Sequence, residues 1–341
     1  MSTLNILYQS SSAYAIPAAV SICSLYENNK DIEDLRVFYI DDGLTEEDRK
    51  QLDLLAERYG RKITFINPEK TKQFLAEKNI EMWSGSYATY YKLFICNELM
   101  DIDRIAYIDS DTVVAGSLKG LISLDLEGYA CGMVASAMCP EIKRFLHVKN
   151  YYNAGFELYN LDYWRKNNVG DHIIDCVLNE KTRYKYTIVA DESLINASIN
   201  KKIKKVPLKY DCEATWWLWG SNKSVRKKLG WGDNDGDYSL AEIKKTYKHP
   251  TIIHFMDLTT GRPWDYLNDH PFRSEYYKYL EILKPWKEVS FNNRGLGGKS
   301  KFLLRMKWLV KKIMPFKLRG ILGYNQHRNA WIRSIEKVKN K

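Results

Sequence analysis

Six cysteines occur in this chain, Cys23, Cys96, Cys131, Cys139, Cys176 and Cys212, and none of them forms a C-x-x-C pair. That scatter argues against a zinc ribbon or a disulfide framework and leaves isolated buried thiols. No run of about 18 apolar residues exists, so no helix is expected to span a bilayer. The opening, Met1-Ser-Thr-Leu-Asn-Ile-Leu-Tyr, lacks a basic leader region and reads as a first strand rather than a signal peptide. Internal repeats are absent as well. A reducing, cytoplasmic setting fits all of these absences.

What the chain has in excess is positive charge, and its location is informative. The net charge is +10 over 341 residues. From Lys299 to Lys341 there are 13 Lys or Arg and one acid, Glu336. The remainder holds 39 of the 52 bases against 41 of the 42 acids, so the globular part is close to neutral. A basic tail, not a basic protein, is what needs a partner.

Strand and helix patterns alternate through the first hundred residues. Leu4–Tyr8, Leu35–Ile40, Ile63–Ile66 and Arg104–Ile108 read as strands. Ile16–Tyr26, a segment N-capped by Thr45 and closed by Gly60, and Tyr87–Leu99 read as helices. Further on, Tyr129–Ala135, Phe156–Leu161, Lys204–Leu208 and Thr251–Phe255 suit strands, and Asp171–Leu178 and Asp191–Ile199 suit helices. Such alternation predicts a mostly parallel sheet covered on both faces, with ligands at the carboxyl ends of its strands. Between these elements lie an aromatic stretch, Thr215–Gly220, and a polar, Gly-rich loop from Gly230 to Asp237.

The strand Arg104–Ile108 runs into Asp109-Ser110-Asp111. Were the backbone to stay extended there, both carboxylates would point the same way. Two convergent carboxylates at a strand end suit a hard divalent cation, which can neutralise a departing diphosphate. A solvated turn is the plain alternative for D-x-D. Asp109-Ser-Asp111-Thr-Val also resembles the first motif of haloacid-dehalogenase-type phosphatases. That family normally carries the motif on its first strand, whereas here three strand–helix units precede it.

Tyr152-Asn153-Ala154-Gly155, Asn160-Leu-Asp-Tyr-Trp164, Ala190-Asp191-Glu192, His254 at a strand end, and Gly261-Arg262-Pro263-Trp264 follow in order. With the D-S-D these resemble glycosyltransferase family 8, which includes bacterial lipopolysaccharide galactosyl- and glucosyltransferases and glycogenin. The resemblance runs from about Leu4 to Trp264. It implies a GT-A type nucleotide-sugar domain with a mostly parallel mixed sheet over residues 1–294. It also implies retaining transfer of galactose or glucose from UDP to a hydroxyl of a glycan or lipid-linked acceptor in cell-surface polysaccharide or lipopolysaccharide synthesis. Asp109, Asp111 and His254 match the family's Mn2+ (or Mg2+) ligands. Asn153 and Asp191 match residues beside the donor sugar. Gln9, Lys92, Ser110, Gly261 and Arg262 fall in the donor-binding segments.

Four departures stand out. Gln9–Tyr14 lacks the usual acidic and amide residues for uracil and ribose. The His254–Arg262 spacing is two residues longer than is common in the family, with Asp257 inside it. Glu192 replaces the usual Gln, and its carboxylate could stabilise a cationic sugar, act as a nucleophile, or simply complement a helix N-terminus. Lys92 replaces the usual Arg, keeping the charge without the bidentate fork.

The tail, 295–341, opens on a hinge-like Gly295-Leu-Gly-Gly-Lys-Ser. Phe302, Leu303, Met306, Leu309, Val310 and Ile313 form an apolar stripe on a helical wheel. Lys301, Arg305, Lys307, Lys311 and Lys312 lie around the rest, Leu304 and Trp308 interrupt the polar face, and Pro315 ends the segment. This predicts attachment to the anionic inner face of the cytoplasmic membrane. A helix packed on the core is the plain alternative, and nucleic acid is not expected, because it would explain the charge but not the stripe. A non-catalytic membrane-attached carbohydrate-binding protein and the phosphatase remain the competing functions.

Overall fold

The computed structural model describes residues 3–179, 190–232, 237–256, 260–265, 268–283, 306, 309–310 and 313–339. Its main sheet begins with β1 (Thr3–Ser10), β2 (Asp34–Asp41) and β3 (Ile63–Ile66), all parallel. Between them run α1 (Ala15–Asn28) and α2 (Glu46–Arg58), and α3 (Glu69–Glu77) follows β3. Thr45 caps α2 in a reciprocal box with Asp48, and Gly60 takes the left-handed conformation just past the helix end (φ 62°), as a C-terminal stop requires. β1 lies between β2 and β4 (Arg104–Ile108), parallel to both. Ile105, Ala106 and Ile108 are fully buried there, as befits a parallel strand covered on both sides.

β6 (Cys131–Ala135), β7 (Tyr152–Asn160) and β8 (Ile203–Lys205) complete the seven-stranded sheet in the order β3-β2-β1-β4-β7-β6-β8. β7 runs antiparallel to β4 and β6, so the sheet is mixed. The sequence reading starts β7 at Phe156; it begins at Tyr152, so Tyr152-Asn153-Ala154-Gly155 is part of the strand rather than just ahead of it. The expected helix Tyr87–Leu99 is instead a short α4 (Ala88–Tyr91) that tightens into a 3-10 stretch, Lys92–Asn97. Residues Lys92–Cys96 are all buried, so no polar face supports an ordinary amphipathic helix.

A second, small sheet was not expected. It joins β5 (Thr112–Val114), β9 (Cys212–Glu213) and β10 (Ile252–His254), with β10 central. Each strand has two or three residues, too few for periodicity to show. Further helices among the described residues are α5 (Pro140–Leu146), α6 (Leu161–Lys166), α7 (Val169–Leu178), α8 (Ala190–Ile199), α9 (Lys223–Leu229), α10 (Leu240–Lys248) and α11 (Arg273–Leu280). The aromatic stretch is a π-helical turn, Trp216–Gly220.

Past Pro315 the tail forms a 24-residue helix, α12 (Phe316–Lys339), that packs on α5, α9 and the Trp216–Gly220 turn. Tyr324 is buried edge-on against Trp219, and Arg328 pairs with Glu141. Gly320 permits the close approach: a Cβ there would stand 2.5 Å from the Leu218 carbonyl oxygen. Of the apolar stripe, Met306, Leu309, Val310 and Ile313 are exposed, Ile313 at 81 %. Phe302, Leu303, Leu304 and Trp308, the lysines and arginine among them, the hinge Gly295–Ser300 and Asp257 lie outside the described residues. Among the described residues no helix is long and apolar enough to cross a membrane.

Candidate active site

The acidic motif sits where the two sheets meet. β4 ends at Ile108 and β5 starts at Thr112, so Asp109-Ser110-Asp111 is the link between them. The backbone leaves the extended conformation here, and strand alternation is not what aligns the two acids. A turn does it instead. Thr112 Oγ1 donates to the Asp109 carbonyl (2.8 Å), and Asp109 N donates to the Gly155 carbonyl on β7 (2.9 Å). β10 then runs antiparallel to β5 with His254 opposite Thr112, and Phe255 N donates to the Asp111 carbonyl. That register delivers the imidazole to the carboxylates.

Asp109, Asp111 and His254 each place a ligand atom within 4.8 Å of the others, the one such group of three among the described residues. His254 Nε2 is 3.3 Å from Asp111 Oδ1 and 3.6 Å from Asp109 Oδ2. Its other nitrogen, Nδ1, is 2.9 Å from Oδ1 of buried Asp211. A ligating imidazole oriented from behind by a carboxylate is the usual support of a metal site. Gly155 makes room for the ring, since a Cβ there would lie 2.3 Å from His254 Cε1. Burial opposes the charge on His254, but Asp211 and Asp111 raise its pKa well above the ordinary value. Burial would likewise raise Asp111, yet the His254 hydrogen bond and Arg262 pull its carboxyl below the usual range. Asp109 is raised, chiefly by burial, against the pull of Lys92. Two oxygen donors and one imidazole, charge-paired and backed by a further carboxylate, fit a divalent cation.

A cavity of about 510 Å³ opens beside this group, lined among others by Gln9, Lys92, Asn153, Asp191, Glu192 and Arg262. A smaller lobe of about 300 Å³ adjoins it and shares Gln9, Asp109, Asp111 and Arg262, adding Ser10, Ser11, Tyr14 and Ser110. Gln9 Nε2 donates to the Ala88 carbonyl, and Ser110 Oγ donates to the Gln9 carbonyl. Arg262 Nε donates to Asp111 Oδ2 (3.1 Å), and its guanidinium lies over the rings of Tyr14 and Trp264. Gly261 has φ 71° and turns the chain so that Arg262 faces inward.

Lys92 behaves differently from a surface cation. It is 4 % exposed and sits between Asp191 (2.8 Å) and Glu157 (3.2 Å), donating also to the Ala154 carbonyl (2.5 Å). Burial disfavours its charge, but those two carboxylates lift its pKa well above the ordinary lysine value. Its position is the cavity floor, where it holds Asp191. Glu192 Oε2 accepts from Asn153 Nδ2 (3.0 Å) and Ala154 N (3.3 Å), and Asn153 Oδ1 accepts from Gly155 N. Burial lifts Glu192 to about 7, against the hydrogen bond from Tyr151.

The residues assigned from the sequence to the metal, the donor and the sugar thus lie at or beside this cavity, whereas Asn160–Trp164 sits at the far end of β7, where Asn160 is opposite Arg104 and Trp164 Nε1 donates to the Ala130 carbonyl. The ones missed are Asp211, Glu157, Glu213 and Tyr107. Glu157 and Glu213 are fully buried, and burial raises each to about 8. Tyr107 Oη donates to Asp109 Oδ1 (2.6 Å). Period-2 counting down β4 and β7 could have put Tyr107 and Glu157 on the faces of Asp109 and Asn153. For Asp211 no sequence signal exists.

The fold is that of the GT-A glycosyltransferases. The galactosyltransferase LgtC, solved with donor and acceptor sugar analogs, superposes with a TM-score of 0.64 at 18 % identity, covering 83 % of this chain and 96 % of LgtC. The chain belongs to glycosyl transferase family 8, whose model matches residues 5–268. It is similar to general stress protein A of Bacillus subtilis, with 24 % identity over 78 % of this chain and 88 % of that protein. The lipopolysaccharide 1,3-galactosyltransferase of Salmonella typhimurium is also 24 % identical, over 85 % of this chain and 81 % of its own.

Proposed function

We propose that this glycosyltransferase moves a hexose, glucose or galactose, from a UDP-sugar to a glycan or lipid-linked acceptor, with retention, in cell-surface polysaccharide synthesis. The observation that carries the reading is the convergence of Asp109, Asp111 and His254 at the mouth of a cavity that also presents Asn153, Asp191 and Glu192. A divalent cation, Mn2+ or Mg2+, held by the three would neutralise the departing diphosphate. Arg262, beside Asp111, adds a second positive charge on the diphosphate path. The smaller lobe receives the nucleoside, with Gln9 at the boundary. Asn153 and Asp191 orient the sugar, Asp191 being fixed by Lys92. Glu192 faces the reacting carbon, where positive charge develops. A pure binding module needs none of this leaving-group machinery.

With Mn2+ present and a panel of nucleotide sugars, UDP release is expected from UDP-glucose, UDP-galactose or both, and EDTA should abolish it. No release from any donor with either cation would overturn the reading.

The tail extends the proposal to membrane attachment. Met306, Leu309, Val310, Ile313, Leu318 and Leu322 are all exposed in a segment dense in Lys and Arg, the combination that inserts into an anionic interface. Deleting the tail would strip α12 from Trp219 and bare the core, so point changes are the cleaner probe. Leu309→Glu with Ile313→Glu should cut co-sedimentation with phosphatidylglycerol vesicles by about tenfold and leave UDP release unchanged. Equal binding by the parent to phosphatidylglycerol and phosphatidylcholine vesicles, or unchanged binding by the variant, would refute the attachment.

A further inference from the structure

A second cavity, also about 510 Å³, lies outside the donor site, between the C-terminal end of α5 and the end of α9. Its wall carries Lys143, Arg144, His147 and Lys149, with Met138 and Trp231 supplying apolar surface. No carboxylate is among the described residues lining it. Among the described residues, the acids nearby are already engaged. Asp237 pairs with Lys143 (2.8 Å), and Glu141 is shared by Arg144 (3.5 Å) and Arg328. His147 and Lys149 are exposed, and Arg144 is 71 % exposed. Trp231 stacks on Trp216 at 5.5 Å and 7°, with Lys143 Nζ 5.6 Å from its ring centre. The indole is thereby held in place, partly buried, beside the cations. Such a wall suits a ligand with both an anionic group and a carbon-hydrogen face, as a phosphorylated sugar or a glycerol phosphate has.

The position of this cavity bears on what its ligand does. Lys149 and Asn153 are four residues apart, so their Cα atoms lie within about 14 Å even if the chain is fully extended. The bridging segment is pinned: Asn200 Nδ2 donates to the Asn150 carbonyl (2.9 Å), and Ser136 N donates to the Tyr151 carbonyl (2.8 Å). The Lys149 edge of the second cavity therefore stands within about 14 Å of Asn153 in the donor cavity. On its other side α12 packs against both α5 and α9, the helices that wall the cavity.

We propose that this cavity is an acceptor subsite that binds a phosphate group of the acceptor, through Arg144, Lys149 and His147, with Trp231 against the adjoining sugar or polyol. The assignment rests on the transferase reading above. It adds that the accepting hydroxyl belongs to a phosphate-bearing molecule, not a neutral glycan. The phosphate can come from a soluble phosphodiester chain or from a lipid headgroup, and the experiment has an arm for each.

The probes are a synthetic oligo(glycerol phosphate), a neutral malto-oligosaccharide of similar length, and vesicles of phosphatidylglycerol or phosphatidylcholine. They are titrated into the full chain and into two double variants, Arg144→Glu with Lys149→Glu and Arg144→Gln with Lys149→Gln. The parent should bind the phosphate oligomer with an affinity that falls as salt rises, and should ignore the neutral sugar. Charge reversal should weaken that binding by about tenfold or more, and neutralisation by about threefold. In the Leu309→Glu with Ile313→Glu background, which removes the tail's own hold on vesicles, residual binding to phosphatidylglycerol that is lost in the subsite variants would assign the phosphate to a lipid headgroup. If both variants bind both anionic probes like the parent, or if the parent binds neither, the subsite does not exist. UDP release by the parent without acceptor, measured alongside, reports on the donor site independently. Its absence would sink the transferase reading whatever the binding shows.

Discussion

Asp111→Ala should lower sugar transfer by about 10³-fold or more, with the fold intact. The magnitude follows from what one carboxylate does here. Its Oδ1 faces His254 Nε2 at 3.3 Å and its Oδ2 accepts from Arg262 at 3.1 Å, so it anchors both positive elements expected on the diphosphate. Losing the counter-charge to a leaving group costs several kcal/mol, and each 1.36 kcal/mol is about tenfold in rate. Mn2+ affinity, read from free Mn2+ by electron paramagnetic resonance, should fall with the rate. Asp211→Asn gives the complementary result. It keeps the shape behind His254 but drops the charge, so Mn2+ affinity should fall by about 10–100-fold while transfer recovers at high Mn2+. Full activity of the parent in EDTA, or of Asp111→Ala, would remove the metal from the assignment.

Asp211 also marks the limit of what the sequence could tell. Asp109 and Asp111 were legible because an apolar strand runs directly into them, and His254 because it closes another such strand. The carboxylate that steers His254 lies 43 positions away, at the head of a two-residue strand whose pairing exists only in three dimensions. Lys92 shows the same effect from the other side. The resemblance puts it in a donor-binding segment in place of Arg, but the depth at which it sits, against Asp191 and Glu157, makes it a buried counter-ion. The parallel half of the sheet was readable because those strands run four to eight residues and are separated by helices of 13 and 14 residues. The small sheet was not, because strands of two or three residues have no period. The docking of α12 was equally hidden. It depends on Gly320 against Leu218, and on Tyr324 against Trp219, residues about a hundred positions apart that carry no shared pattern.

Glu192→Ala should lower kcat by about 10²–10³-fold while changing KM for the donor by less than about threefold. The carboxylate lies in the first turn of α8, almost fully buried, held by Asn153 and the Ala154 amide in the wall of the cavity. A charge preorganised where the transition state turns cationic lowers the barrier without tightening ground-state binding. The pH dependence separates this from a passive role. Burial lifts the group to about 7, and the Tyr151 hydrogen bond only partly offsets it. The ionised form is the useful one, so kcat/KM should climb about tenfold per pH unit below that value and level off above it. Glu192→Gln removes the titrating proton and should flatten the limb. If the role is positional, the Gln variant keeps its rate to within about tenfold; if the carboxylate is a nucleophile, the variant is dead. Stability should move in the opposite sense. A carboxyl held above its unfolded value of 4.5 makes the folded state the stronger proton binder. Its contribution is therefore full below about pH 4.5 and is lost as the pH rises through about 7, a loss the Gln variant escapes. A pH limb that persists unchanged in Glu192→Gln, or normal kcat in both variants, would return Glu192 to the role of a helix N-terminal acid.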